Sequence, residues 1–352
     1  MRVSVNRLKW ICLTLCVLGG VLPAQSIIPD QRLHMLVLSG IDLTWQQRYR
    51  EADSVFTLMT REFPDHPAGF VYRAGVLQTK AVDHESIVDQ ALLDSLLNLG
   101  REKANSMIQK GVGIAWGYFF LGTADGCDSY ARIYRGDWMT GAMKGMSSFS
   151  AFKEAVKYDT SLCDADAGIG GFYYWRSRKT EHFNWIPFVG DDRPTGFQLL
   201  EKAAQKGIYD RYTALSMLVA IHTDAGNYDQ AIACALEGLE QYPANQVFLW
   251  GLTTAYQRAG KTHEAVEAYE RLLRSLSEEA GENLYNEMVC RLNIAQLRTQ
   301  SGDTTRVAQY LRSILRHHQS EFPPHLKDRV EDKLMRAREL ARRMKDGSLS
   351  AD

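Results

Sequence analysis

The stretch Ala225-Gly-Asn-Tyr-Asp-Gln-Ala231 returns 34 residues later as Ala259-Gly-Lys-Thr-His-Glu-Ala265, and a looser copy, Ser301-Gly-Asp-Thr-Thr-Arg-Val307, follows. A period of this size, flanked by apolar residues at helical spacing, confines the chain to a solenoid of antiparallel helical hairpins. Each hairpin carries an apolar face that only its neighbour can cover. Leu215, Leu218, Val219 and Ile221 precede the first copy, and Ile232, Ala235, Leu236 and Leu239 follow it, at steps of three and four. The Gly of each copy ends a helix where a left-handed backbone is needed. The residue five later is small, as a close helix crossing requires, and Pro243 stops the second helix.

A second spacing runs through the same copies: a small residue, Ala twelve later and Pro twelve beyond. It reads Gly40, Ala52 and Pro64, with Phe56 four after the Ala, and then Val219, Ala231 and Pro243. Thr253, Ala265 and Ser277 keep the spacing, with Tyr269 as the aromatic. Ala295, Val307 and Gln319 form a degenerate last copy after an insertion around Glu278 to Tyr285. These positions resemble the tetratricopeptide repeat (TPR) family over residues 33–66 and 210–315. Over 113–208 the likeness is looser, carried by Lys157-Tyr-Asp-Thr-Ser161 followed by Ala165 and Gly170. Residues 168–193 are similar to a helical insert of the eukaryotic TPR family of inclusion-body-clearance proteins at the mitochondrial outer membrane.

The resemblance implies an all-α, TPR-like helical-hairpin solenoid with an irregular central insert and a C-terminal capping helix. Its expected parts are N-terminal helices over 27–110, divergent central repeats over 111–208 with an aromatic loop at 180–193, C-terminal repeats over 209–320, and a capping helix and tail over 321–352. Within these, residues 67–81 and 86–110 read as helices, and Asp137 starts another that runs through Lys157. Leu326, Val330, Leu334, Ala337, Ala341 and Met344 form one stripe opposite many Arg and Lys. A terminal helix has that pattern when it covers the end of a stack and faces water.

Residues 1–26 read as a secretory signal peptide. Arg2, Arg7 and Lys9 lead an apolar run from Trp10 to Leu22, and Pro23-Ala-Gln-Ser26 offers small residues for cleavage. Cys12 and Cys16 lie inside the apolar run, away from where a lipidation site would place its Cys. The mature chain is therefore expected to be exported, periplasmic or secreted, without a transmembrane span. The whole chain has 352 residues, with 41 basic and 42 acidic side chains. That balance argues against a nucleic-acid partner. Cleavage removes three positive charges and no negative ones, leaving a mildly acidic chain. Cys127, Cys163, Cys234 and Cys290 remain, and they read as buried thiols; Cys127 with Cys163 is the pair to inspect for a disulfide.

Catalytic and cofactor motifs are missing. Gly111-Val-Gly113 lacks the third Gly and the strand of a nucleotide loop, no GxSxG elbow occurs, and the nine His make no compact ligand pair. The expectation is a non-catalytic scaffold, with no cofactor and no metal, that binds a protein or peptide. A place in an envelope assembly is compatible with the same features. In TPR proteins the first helix of each pair lines the concave face, which implies partner contacts at Trp45, Trp116, Phe119, Tyr174, Trp175, Trp250, Gln257 and Arg258. Arg176 and Arg178 would act as polar selectors. The positions that hold a terminal carboxylate in one TPR subclass correspond here to Ser216, Ala220, Trp250 and Thr254, which argues against an acidic C-terminal tail as partner. The alternative is a small-molecule site or enzyme at the central loop, built from Trp185, Asp191, Asp192 and Arg193. For those carboxylates a hydrogen-bonded loop and helix start is the competing reading.

Overall fold

The computed structural model describes residues 25–181, 190–278, 283–304 and 306–345. Residues 1–24 of the expected signal peptide, residues 182–189 of the expected aromatic loop and Trp185 within it lie outside them. The described residues form fifteen α-helices and no strand. The first six are α1 (Gln31–Trp45), α2 (Tyr49–Glu62), α3 (Ala68–Asp83), α4 (Gln90–Lys110), α5 (Ile114–Tyr134) and α6 (Trp138–Tyr158). Then come α7 (Ala165–Thr180), α8 (Arg193–Lys206), α9 (Arg211–Asp224), α10 (Tyr228–Gln241) and α11 (Gln246–Arg258). The series closes with α12 (Thr262–Glu278), α13 (Leu284–Gln300), α14 (Val307–Leu315) and α15 (Lys327–Lys345).

Each helix packs on the next, and the odd-numbered helices also touch one another in sequence, α1 on α3, α3 on α5, α5 on α7, α7 on α9 and α9 on α11. The first helices of the hairpins thus form an inner layer and the second helices an outer one. This is the TPR-like helical-hairpin solenoid that the repeat spacing implies. The turn glycines Gly226, Gly260 and Gly302 have φ of 80°, 72° and 75°, the left-handed backbone a side chain would strain. The small position of the signature has a direct cause: a Cβ on Gly40 would lie 2.3 Å from the Phe56 ring. Ala52, Ala231, Ala265 and Phe56 are all buried. Helix starts are set by side chains. Asp30 accepts from Leu33 N at 2.8 Å, Asp89 from Leu92 N at 3.0 Å and Asn245 from Phe248 N at 3.1 Å. At the far end, Leu326, Val330, Leu334 and Ala337 of the capping stripe are buried with Phe322 and Val307 in a terminal core.

The array departs from an open groove in one respect. The first hairpin folds back onto helices some two hundred residues later. Trp45 stacks on Phe248 and Tyr242, with ring centroids 5.4 and 6.3 Å apart. Asn245 Nδ2 donates to the Trp45 carbonyl at 2.7 Å, Gln246 N to Gln47 Oε1 at 3.0 Å, and Tyr242 Oη to Asp42 at 3.1 Å. The Tyr209 hydroxyl accepts from Ile28 N at 3.0 Å and lies 2.5 Å from His34 Nδ1. On the other side of the coil the α3–α4 connection docks on the last helices. Asn286 Nδ2 donates to the Asp83 carbonyl at 2.8 Å, and Arg329 meets Glu85 at 2.6 Å. The first hairpin and the α3–α4 connection thus close the concave side.

Candidate functional site

Closure leaves a cavity of about 440 Å³ inside the coil, walled by α1, α2, α3, α5, the α8–α9 turn, α9 and the start of α11. Its inner-layer wall repeats at helical spacing: Thr123, Cys127 and Tyr130 come from α5, and Tyr72, Gly75, Val76 and Thr79 from α3. Trp45 and Tyr209 close two sides. The wall is mostly apolar with a few convergent polar groups, the composition typical of ligand sites. A smaller cavity of about 230 Å³ adjoins it past Gln78, Val82 and Tyr130, reaching Ile87, Tyr134 and His325.

Two carboxyl groups face this interior. Asp83 is held by Tyr49 Oη and by Gln47 Nε2, the latter at 2.7 Å. Asp210 directly precedes α9 without a side-chain capping bond. Burial, and then the nearby charge of Asp164, pushes its carboxyl up to about 7, with Thr213 easing the shift. Asp164 itself is fully buried. Its Oδ1 accepts from Tyr209 N at 2.7 Å and Asp210 N at 2.8 Å, its Oδ2 has no hydrogen-bonding partner, and burial raises its affinity for a proton. Tyr72 carries a buried hydroxyl that also lacks a partner. Cys127 is a free thiol that burial pushes up to about 12, so it is neutral here. Cys163, Cys234 and Cys290 are free as well, and Cys127 and Cys163 are not joined.

The residues expected along the groove divide. Trp116, Phe119 and Tyr174 are 5%, 0% and 1% exposed, so they are core residues and are corrected as partner contacts. Trp116 sits on the stripe of α5 that continues into Thr123 and Cys127, but Tyr209 covers it edge-on at 5.5 Å. Tyr174 sends its hydroxyl to Asp224 at 2.8 Å. Trp45 is consumed by closure, and Trp250 is half-buried edge-on to Tyr269. Trp175, Arg176, Gln257 and Arg258 remain exposed, and Arg178 is half-buried. Arg178 Nε bonds Asp224 at 2.8 Å, and with Tyr174 and Arg258 it holds that carboxyl below its usual range despite its burial. The ends of α7, α9 and α11 thereby share one rim. Ser216 lines the cavity.

At the central loop, Arg193 clasps Asp191 at 2.6 Å and Arg176 bonds Asp192, whose own N donates to Ser177 Oγ at 2.9 Å. Both carboxylates are neutralised by arginine at a helix start, and neither lines the central cavity. Among the described residues no group of three or more His, Cys, Asp or Glu is arranged to hold a metal, and no helix is long and apolar enough to cross a membrane.

Sequence reasoning passed over one buried network. Asp125 and Asp128, each 5% exposed on α5, receive Arg101 of α4 at 2.7 and 2.6 Å. Arg132 and Lys144 complete it, at 2.7 Å to Asp128 and 3.1 Å to Asp125. The Asp125 carboxyl, which burial alone would push up, is brought below its usual range by Ser147, Arg101 and Lys144. The three-residue step from Asp125 to Asp128 was visible in the sequence, but nothing local tied it to Arg101.

A family described as the bacterial transcriptional activator domain matches residues 187–289, less than a third of the chain. No curated protein matches. Among solved structures, the C-terminal part of a TPR repeat-containing protein from Cytophaga hutchinsonii overlaps with a TM-score of 0.44 at 15% identity, over 85% of this chain and 99% of that one. Yeast Tom70 overlaps at 0.43 and 13% identity, over 91% and 66%. A human IFIT1 dimer with m7Gppp-AAAA gives 0.32 and 10%, over 89% and 81%. These overlaps are loose, and the fold assignment stands on the helix pairing itself.

Proposed function

We propose that this protein is an exported, non-catalytic TPR-like scaffold, periplasmic or secreted, that binds a protein or peptide partner along the rim formed by the ends of α7, α9 and α11. The observation that supports the reading is the Arg178–Asp224 pair with Arg258 beside it, which brings the ends of α7, α9 and α11 together next to exposed Trp175, Gln257 and Arg258; Arg176, on the other side of α7, is engaged by Asp192. An exposed Trp next to arginines offers large contact area together with directional charge, the composition of interface hot spots. Residues buried inside the coil take no part in this contact. The likeness of residues 168–193 to the inclusion-body-clearance family concerns the helical insert alone, and the match at 187–289 adds no basic surface that would suit DNA. The test is affinity capture with mass spectrometry from an envelope or secreted fraction, comparing wild type with a Trp175→Ala/Arg258→Ala double variant of unchanged circular dichroism. Loss of a specific partner is expected in the variant. Equal recovery by both proteins would remove the rim from the mechanism.

A further inference from the structure

The central cavity belongs to no part of that rim, and its chemistry is specific. We propose that it is a binding site for a small organic cation, an ammonium or substituted ammonium group on an apolar body, with Asp210 as the counter-charge and Trp45, Tyr72 and Tyr130 as aromatic walls.

Four observations converge. The volume, about 440 Å³, lies within the range of small-molecule sites. Gly75, in the middle of α3, lines the cavity, and a Cβ added there would meet no atom within 4 Å. A mid-helix glycine costs about 0.5–1 kcal/mol relative to alanine, and no neighbour crowds this one, so packing gives no reason for it. What its missing side chain preserves is the cavity. The lining also has a definite sign: it contains Asp83 and Asp210 and no Lys, Arg or His. Asp83 is already engaged by Tyr49 and Gln47. The groups around Asp210 are Asp164, Tyr209, Tyr72, Cys127 and Thr213, none of them cationic, while the neighbouring cations are committed elsewhere, Arg101 to Asp125 and Asp128 and Arg211 to Glu237. Finally, the Tyr72 hydroxyl is buried without a partner beside that carboxyl. Burying a carboxylate with a second carboxyl behind it is costly unless a positive charge compensates. Aromatic faces around such a site add attraction for an ammonium group, whereas an anion would meet only repulsion.

Because burial and Asp164 push the Asp210 carboxyl up to about 7, a cation that prefers the ionised form displaces its proton, and binding strengthens as pH rises through that value. The experiment uses the full chain and isothermal titration calorimetry with benzyltrimethylammonium, whose charge does not titrate, alongside neutral benzyl alcohol and anionic phenylacetate. The cation is expected to bind alone, about tenfold tighter at pH 8.5 than at pH 5.5. Asp210→Asn should weaken it about tenfold and flatten the pH profile. Gly75→Leu should abolish binding while melting no lower than wild type, which separates filling of the cavity from misfolding. Binding of all three probes alike, binding of none, or unchanged cation binding in both variants would overturn the proposal. None of these outcomes bears on the rim, so the two readings fail separately.

Discussion

The stack from α9 to α13 and the bundle from α4 to α6 solve the same packing problem by different means. In the stack, helices of 13 to 17 residues turn at left-handed glycines, and small residues meet aromatics: a Cβ on Gly238 would lie 2.5 Å from the Phe248 ring. In the bundle, each of the three helices has 21 residues, and α5 carries two buried aspartates answered by Arg101, Arg132 and Lys144. Shape complementarity spreads stability over many small contacts. A buried ionic network concentrates it in a few groups, where removing one partner strands the others.

The contrast is open to direct attack. The largest effect is expected at the network: Asp128→Ala leaves Arg101 and Arg132 without their shared carboxylate and should destabilise by about 3–5 kcal/mol in urea unfolding. In the stack, Gly238→Leu forces a side chain into the Phe248 ring and should cost about 1–3 kcal/mol in the same assay. A loss for Asp128→Ala smaller than for Gly238→Leu would reverse the ranking of the two devices. Next comes pH, which should act through the side of the molecule that holds the cavity. The folded pKa of Asp210 is raised to about 7, so between the unfolded value near 4 and that point the folded state keeps a proton that the unfolded chain has lost. Its contribution is therefore present at low pH and lost as pH rises towards 7, and Asp210→Asn should be the more stable protein at pH 8 by about 1 kcal/mol or more. His66 has the opposite sign. Burial lowers it from 6.5 to about 4, so stability falls as pH drops through that interval, and His66→Gln should blunt the fall in melting temperature. The smallest effect belongs to a turn: Gly226→Ala, at φ 80°, should cost about 1 kcal/mol, read as a small shift of the urea midpoint.

The stack was legible in the sequence because its determinants are local. Gly226 and Gly260, the small positions at Ala231 and Ala265 and the stripe of α15 recur at fixed spacings, and each has a packing cause within a few dozen residues. In the bundle, Asp137 at the start of α6 was legible in the same way. The site was not legible for the same reason. Reading Trp45, Trp116 and Tyr174 as groove contacts assumes an array that stays open, whereas Trp45 finds Tyr242 and Phe248 two hundred residues away. Tyr209 then covers Trp116 from a turn of no recognisable motif. Asp125 and Asp128 look like ordinary polar breaks in an apolar helix until Arg101 is placed beside them. Gly75 is one glycine among the 27 of the chain, and what sets it apart is open space in front of a mid-helix position that lines the cavity.

The seating of Trp45 and Gln47 on residues 242–248 also changes how the molecule should come apart. A linear array behaves as a row of units coupled to nearest neighbours, so it can fray from either end and tolerate the loss of a terminal unit. Here the first hairpin is joined to the start of α11 by hydrogen bonds spanning about two hundred residues, and the connection after α3 is joined to α13 and α15. Contacts of that sequence separation form late and slow the search for the native state. The first hairpin, the α3–α4 connection and the last helices should therefore unfold together with the middle, as one cooperative unit.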